Sequence, residues 1–171
     1  MAAFSRFDLY LGVTLSTQVQ LKEFMNIVLI EDSALIREQL CGLLLNLTDV
    51  HVVGHADNEE GALNLIHDLA PDLVLLDISL REGNGINILR RLKNEVAPSS
   101  VKNCPLVAML SNKPDHYRSV TAALGADAYF DKSMQIEEAL HQIQCWADDP
   151  SHQSNLGRHW SFDSLTDQVT V

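Results

Sequence analysis

Residues 72–80 read "DLVLLDISL". Leu73, Val74, Leu75 and Leu76 are all apolar and Asp77 closes the run. Pro71 precedes it and a "GNG" turn at 83–85 follows. A run this short and this apolar predicts a strand over 72–78, buried on both faces in a parallel sheet. A buried, unpaired carboxylate is costly enough to be avoided. Either Asp77 emerges into solvent at the strand's end, or something there needs a negative oxygen.

Upstream, "NIVLI" (26–30) is a second apolar run, stopped by "EDS". Ser33 can N-cap a helix whose stripe is Ile36, Leu40, Leu43, Leu44 and Leu47. "VHVVGHA" (50–56) alternates as a strand does, and "NEEGALNLIHDL" (58–69) reads as a helix ended by Pro71. Downstream, "INILRRLKNEV" (86–96) predicts a helix with Ile86, Leu89 and Leu92 or Val96 inward. "PLVAML" (105–110) is a strand, 113–125 a helix with Pro114 in its first turn and Gly125 at its end, and "DAYF" (127–130) the fifth strand. The last helix, 135–147, carries Ile136, Leu140, Ile143 and Trp146 or Ala147 on one face. Strictly alternating strands and helices predict an α/β fold. Right-handed crossovers favour a doubly wound (βα)₅ sandwich, sheet order 2-1-3-4-5, with any site at the carboxyl ends of the strands.

The chain has 171 residues, 46% of them apolar, and a net charge of −11. That size suits one domain. The acidic balance argues against a broad nucleic-acid contact, which needs clustered Lys and Arg. No apolar run reaches the about 18–20 residues of a membrane span. The start, with Asp8 beside Leu9–Leu15, does not read as a signal peptide. Cys41, Cys104 and Cys145 have no C-x-x-C spacing and are expected to be buried, reduced thiols of a cytoplasmic protein. His51 and His55 are read as ordinary strand side chains rather than metal ligands.

At the strand ends stand Glu31 and Asp32, Asp77, Ser111 and Lys132. Alone, the acidic pair also reads as a solvated turn, Lys132 as a surface lysine and Ser111 as a helix cap. The predicted topology brings them together. Three carboxylates in one place suit a hard divalent cation such as Mg²⁺. A lysine and a hydroxyl opposite suit an anion, and the set suits phosphoryl transfer to a carboxylate.

The pieces "IVLIEDS", "PDLVLLDISL", "VAMLS" and "GADAYFDKS" resemble the receiver domain of two-component response regulators over residues 25–147. The resemblance implies that Glu31 and Asp32 place Mg²⁺ and that the backbone carbonyl of Ser79 completes its shell with Asp77. It implies that Asp77 accepts a phosphoryl group from a histidine kinase or histidine phosphotransfer protein. Lys132 and the Ser111 hydroxyl would contact that group. Tyr129 matches the switch aromatic, whose ring moves inward as Ser111 shifts. The fourth helix, fifth strand and fifth helix would form the face for a downstream protein or a homodimer. Arg81 stands where the family often has Pro, and Asn112 where it usually has a small residue. Asn112 is expected to narrow access to the phosphoryl group, and Lys113 and Ser79, which flank the site, are candidates for tuning hydrolysis.

Residues 148–171 are too short for a helix-turn-helix unit and read as a tail. Its minority reading is a docking peptide anchored by Trp160 and Phe162. Residues 1–24 match nothing, and Met25 reads as the start at which chains of this kind begin. The expectation is a receiver that works by protein contact without DNA or membrane. Two alternatives stay open: an aspartyl-nucleophile phosphatase on a similar sheet, and a receiver that is never phosphorylated.

Overall fold

The structure is a computed structural model and describes residues 24–94, 104–113 and 116–149. Expectations for residues 1–23, for Val96, for Pro114 and for 150–171, Trp160 and Phe162 included, lie outside the described residues.

Five strands alternate with five helices: β1 (Met25–Ile30), α1 (Ala34–Leu44), β2 (Val50–Ala56), α2 (Glu59–Leu69), β3 (Leu73–Asp77), α3 (Gly85–Asn94), β4 (Leu106–Ser111), α4 (His116–Ala123), β5 (Ala128–Asp131) and α5 (Ile136–Asp148). All strands are parallel, in the order β2-β1-β3-β4-β5. The α/β sandwich read from the sequence is the observed fold, and β3 is its central strand.

Side-chain parity splits the core into two layers. Ile27, Leu29, Leu73, Leu75 and Leu110 point to the layer closed by Leu40 and Leu44 of α1 and Ala139, Ile143 and Ala147 of α5. Val28, Ile30, Val74, Leu76 and Met109 point to the other, closed by Ala62 and Ile66 of α2 and Ile88, Leu89 and Leu92 of α3. Every residue of β3 is buried, as its continuous apolar run requires. Truncating a side chain such as Leu75 to Ala at such a site costs about 2–5 kcal/mol.

Local chemistry sets the helix ends. Ser33 Oγ accepts from the Ile36 amide at 3.4 Å and caps α1. Asn58 Oδ1 accepts from the Gly61 amide at 2.8 Å and caps α2. Ala70 turns left-handed (φ 41°) as α2 ends, its amide donating to the Ile66 carbonyl at 3.0 Å, and Pro71 follows, which cannot continue the helix.

Several inward expectations are corrected. Leu43 is 38% exposed, since α1 needs only its Leu40 and Leu44 edge against the sheet. On α3, Ile88 is fully buried while Ile86 is half-buried, and on α5 Ala139 is buried with Ile143 and Ala147 while Ile136, Leu140 and Trp146 are half-buried. The thiols are not buried: Cys104 and Cys145 are exposed and Cys41 is half-buried, none in a disulfide. Cys145 lies on the solvent side of α5, where its Sγ is 3.7 Å from His141 Nδ1.

Strand β2 contains a bulge. Pairing passes from Ile27–Val52 to Val28–Gly54 and leaves Val53 unpaired. The extra residue swaps the faces. Val52 packs on the α1/α5 layer, whereas Ala56 packs on the α2/α3 layer. By the same shift His51, paired with Asn26, and His55, paired with Leu29, project from opposite faces. The sheet thereby separates them.

Candidate functional site

The carboxyl ends of β1, β3, β4 and β5 converge on a cleft of about 190 Å³ lined by Glu31, Asp32, Asp77, Ser79, Ser111 and Lys132, with Asn112 and Lys113 at its rim. The parallel sheet explains this convergence. Each strand runs the same way, so each leaves its last polar residue at the same edge. All the residues named for the site from the sequence are in or beside this cleft; Tyr129 reaches it through Lys113.

Asp77 does not emerge into solvent. It is 7% exposed, Glu31 is 1% exposed and Asp32 is half-buried. One carboxylate oxygen from each of the three lies within 4.8 Å of the others. Lys132 Nζ, itself buried, stands 2.9 Å from Asp77 Oδ2 and also contacts Glu31 Oε2. Here is the physical answer to the charge at the end of an apolar strand: Asp77 is paired. One buried ammonium still faces three carboxylates, so the cleft keeps an excess of negative charge. The donors are hard oxygens at the spacing a Mg²⁺ ion can span, and the residues present fit that ion.

Glu31 is held from several sides. Its Oε1 accepts from the Ser33 amide at 3.1 Å, and its carbonyl accepts from Arg37 Nη1 at 3.1 Å. Ser111 is 1% exposed; its Oγ accepts from the Lys113 amide at 3.2 Å and its carbonyl from the Lys132 amide at 3.3 Å. Those two bonds tie the β4 and β5 loops into one frame. Asn112 Oδ1 accepts from Ser133 Oγ at 3.0 Å and closes the rim.

The loop after β3, where "GNG" predicts a turn, is held by close packing and by a contact from α2. Ser79 pairs with Asn84 in an antiparallel bridge. Gly85 opens α3 so close to β3 that a Cβ there would lie 2.0 Å from the Asp77 carbonyl oxygen. Gly83 has φ 87°, a left-handed conformation that favours glycine. Glu59 Oε2, from α2, accepts from the Asn84 amide at 3.0 Å and pins the loop. Arg81 takes a different course, 3.7 Å from Asp57 Oδ2 across to the loop after β2. The "GNG" spelling signalled a turn; only the packing shows that Gly85 sets the distance between α3 and Asp77.

Tyr129 is buried (7% exposed) among the α2/α3 layer residues. Its hydroxyl donates to the Lys113 carbonyl at 3.1 Å. Arg118 of α4 lies over the ring, 4.8 Å from its centroid, and Arg118 Nη1 donates to the Tyr129 carbonyl at 2.7 Å. Arg118 had no sequence signal, because a single Arg on a helix is ordinarily solvated.

Comparisons with known proteins agree with this geometry. The response regulator receiver domain family matches residues 27–144. The nitrate/nitrite response regulator NarL of Escherichia coli K12 is 36% identical over 126 residues, covering 71% of this chain and 55% of NarL. The phosphate regulon regulator PhoB of the same organism is 31% identical over 118 residues, covering 69% of this chain and 49% of PhoB. The chain thus spans about half the length of these curated relatives. The receiver domain of a DNA-binding response regulator from Colwellia psychrerythraea superposes with a TM-score of 0.63 at 27% identity, covering 74% of this chain and all of that one. Among the described residues no helix is long and apolar enough to cross a membrane. With the family matched over most of the chain and its acidic cleft assembled at the carboxyl edge of the sheet, this protein belongs to the response regulator receiver domains.

Proposed function

We propose that the chain is the phosphoacceptor switch of a two-component or phosphorelay system, with Asp77 as the acceptor. The observation that carries this is Lys132 Nζ 2.9 Å from Asp77 Oδ2 inside a cleft with two further carboxylates. A carboxylate on the central strand, with a positive partner and a hydroxyl beside it, is arranged to attack phosphorus. The donor is a phosphohistidine of a histidine kinase or histidine phosphotransfer protein. Its N–P bond breaks, an Asp77 Oδ–P bond forms, and the imidazole leaves.

Glu31, Asp32, Asp77 and the Ser79 carbonyl would hold Mg²⁺, which supplies positive charge against the carboxylates and the phosphoryl oxygens. Lys132 turns from Asp77 to a phosphoryl oxygen. Ser111 already accepts at Oγ from Lys113, which leaves its own proton to donate to the phosphoryl group. Drawing Ser111 toward that group pulls on Lys113, and through the Lys113 carbonyl on Tyr129. The result is a population shift of the face made by α4, β5 and α5 toward the form that a downstream protein binds, or that pairs in a homodimer.

The Colwellia relative is a DNA-binding response regulator. For this chain we assign protein contact rather than nucleic acid, on its whole-chain net charge of −11. A cytoplasmic location accords with three cysteines outside any disulfide. The chain is not read as an enzyme with a separate substrate.

Intact mass after incubation with acetyl phosphate and Mg²⁺ tests the reading, with Asp77→Asn alongside. The acetyl C–O–P linkage loses its phosphoryl group, acetate leaves and the parent gains one phosphoryl mass; the variant gains none. A folded parent that gains no mass from acetyl phosphate or from a phosphorylated histidine phosphotransfer protein overturns it. Turnover of small phosphomonoesters would instead favour the phosphatase.

A further inference from the structure

The ring of Tyr129 points inward, and one residue outside the acidic cleft grips both the ring and its backbone. Arg118 stacks its guanidinium over the ring at 4.8 Å. Its Nη1 donates to the Tyr129 carbonyl at 2.7 Å and its Nη2 to Gln135 Oε1 at 3.0 Å. Gln135 Oε1 also accepts from the Asp131 amide at 3.1 Å. One planar fork therefore ties α4, the middle of β5 and the start of α5. The ring is fixed again by the bond from its hydroxyl to the Lys113 carbonyl, and Lys113 is bonded to Ser111 Oγ. For the ring to turn outward, it must leave both the cation over its face and the carbonyl at its hydroxyl.

We propose that Arg118 is a positioning residue that holds Tyr129 inward before phosphorylation, so that the face of α4, β5 and α5 rests in its switched arrangement. The inference rests on the reading of Tyr129 as the switch aromatic. The cation over the aromatic face favours the held ring, and the charge-assisted hydrogen bonds to the Tyr129 carbonyl and Gln135 fix the guanidinium in that place. Losing contacts of that kind shifts a two-state equilibrium by roughly tenfold or more. The consequence is a chain whose partner engages it appreciably without phosphate, and in which phosphorylation adds less than it would to a ring held outward.

The test is fluorine NMR of the full chain labelled with 3-fluorotyrosine, the Tyr129 signal assigned through Tyr129→Phe. Exposure is read from the shift between H₂O and D₂O. In the parent without any phosphoryl mimic, Tyr129 is expected to show little solvent shift. Arg118→Met, which keeps the bulk and loses the charge and the fork, is expected to gain the shift of an exposed ring. Arg118→Lys, which keeps the charge alone, is expected to fall between them. Arg118 is exposed, so these variants retain the core. Beryllofluoride with Mg²⁺ is expected to return the Met variant's ring inward. A Met variant whose Tyr129 matches the parent, or a parent whose ring is exposed, overturns the proposal. If the Met variant exposes the ring but beryllofluoride binds neither protein, the hold by Arg118 stands and the reading of Asp77 as acceptor fails.

Discussion

Lys132 and Asp77 meet Nζ to Oδ2 at 2.9 Å, across the carboxyl edge of the sheet, with both side chains under a tenth exposed. Lys132 also contacts Glu31, so one ammonium is shared by two buried carboxylates from different strands. Under the proposed function this contact links the fold's stability to its chemistry, because the group that steadies the cleft would have to let go of Asp77 for a phosphoryl group to enter.

Lys132→Met should therefore destabilise the chain by about 3 kcal/mol, since removing one partner leaves buried charge uncompensated. Urea unfolding measures this. Mg²⁺ should restore part of the loss by supplying the missing positive charge. A midpoint equal to the parent's would show that water already screens the pair.

Mg²⁺ should stabilise the parent through mass action by about 1.4 kcal/mol at ten times the dissociation constant, read as a raised thermal midpoint, and EDTA should reverse it. In the double variant Glu31→Gln, Asp32→Asn the response should disappear. Retention of the response there would place the ion elsewhere.

Gly85→Ala puts a Cβ where the Asp77 carbonyl oxygen stands 2.0 Å away, so α3 or the end of β3 must move. The expected cost is about 1–3 kcal/mol, as for other overpacked sites. Phosphorylation by acetyl phosphate should also slow. Parent-like stability and rate together would mean that the loop absorbs a methyl freely.

At the opposite edge of the sheet, Asp127 Oδ2 accepts from the Val107 amide at 2.8 Å and from Lys93 Nζ at 2.9 Å. Asp127→Ala should cost about 1–3 kcal/mol by stranding these donors. Its phosphorylation rate should stay at the parent's, because the cleft lies at the other end of the strands. A slowed rate would contradict that separation.

Asn112 closes the rim of the cleft through Ser133. Asn112→Ala should open a path for water and shorten the phospho-lifetime, while Lys113→Glu should alter it by placing negative charge at the rim. Lifetimes equal to the parent's in both would remove these residues from any role in hydrolysis.

The alternation of strands and helices was legible because apolar periodicity is local. β3 could be read from four successive Leu and Val residues, and the acidic strand ends from Glu31, Asp32 and Asp77 following such runs. Helix ends were legible where a cap residue or proline stood, as at Ser33 and Pro71. Facing was less so: Leu43 and Ile86 fit the helical stripe but lie at its margin, where docking angle decides burial.

By itself, then, the sequence determined the (βα)₅ order and the set of residues that a parallel sheet must gather at its carboxyl edge. Tertiary structure alone decided that the bulge at Val53 swaps the faces of β2, that Gly85 sits against the Asp77 carbonyl, that Lys132 is buried between Glu31 and Asp77, and that Arg118 covers Tyr129. The physical reason is the same in each case. These contacts join residues on different elements, and they depend on register and on how closely helix and sheet approach, to within about an ångström. The periodicity of any one segment carries no record of that distance.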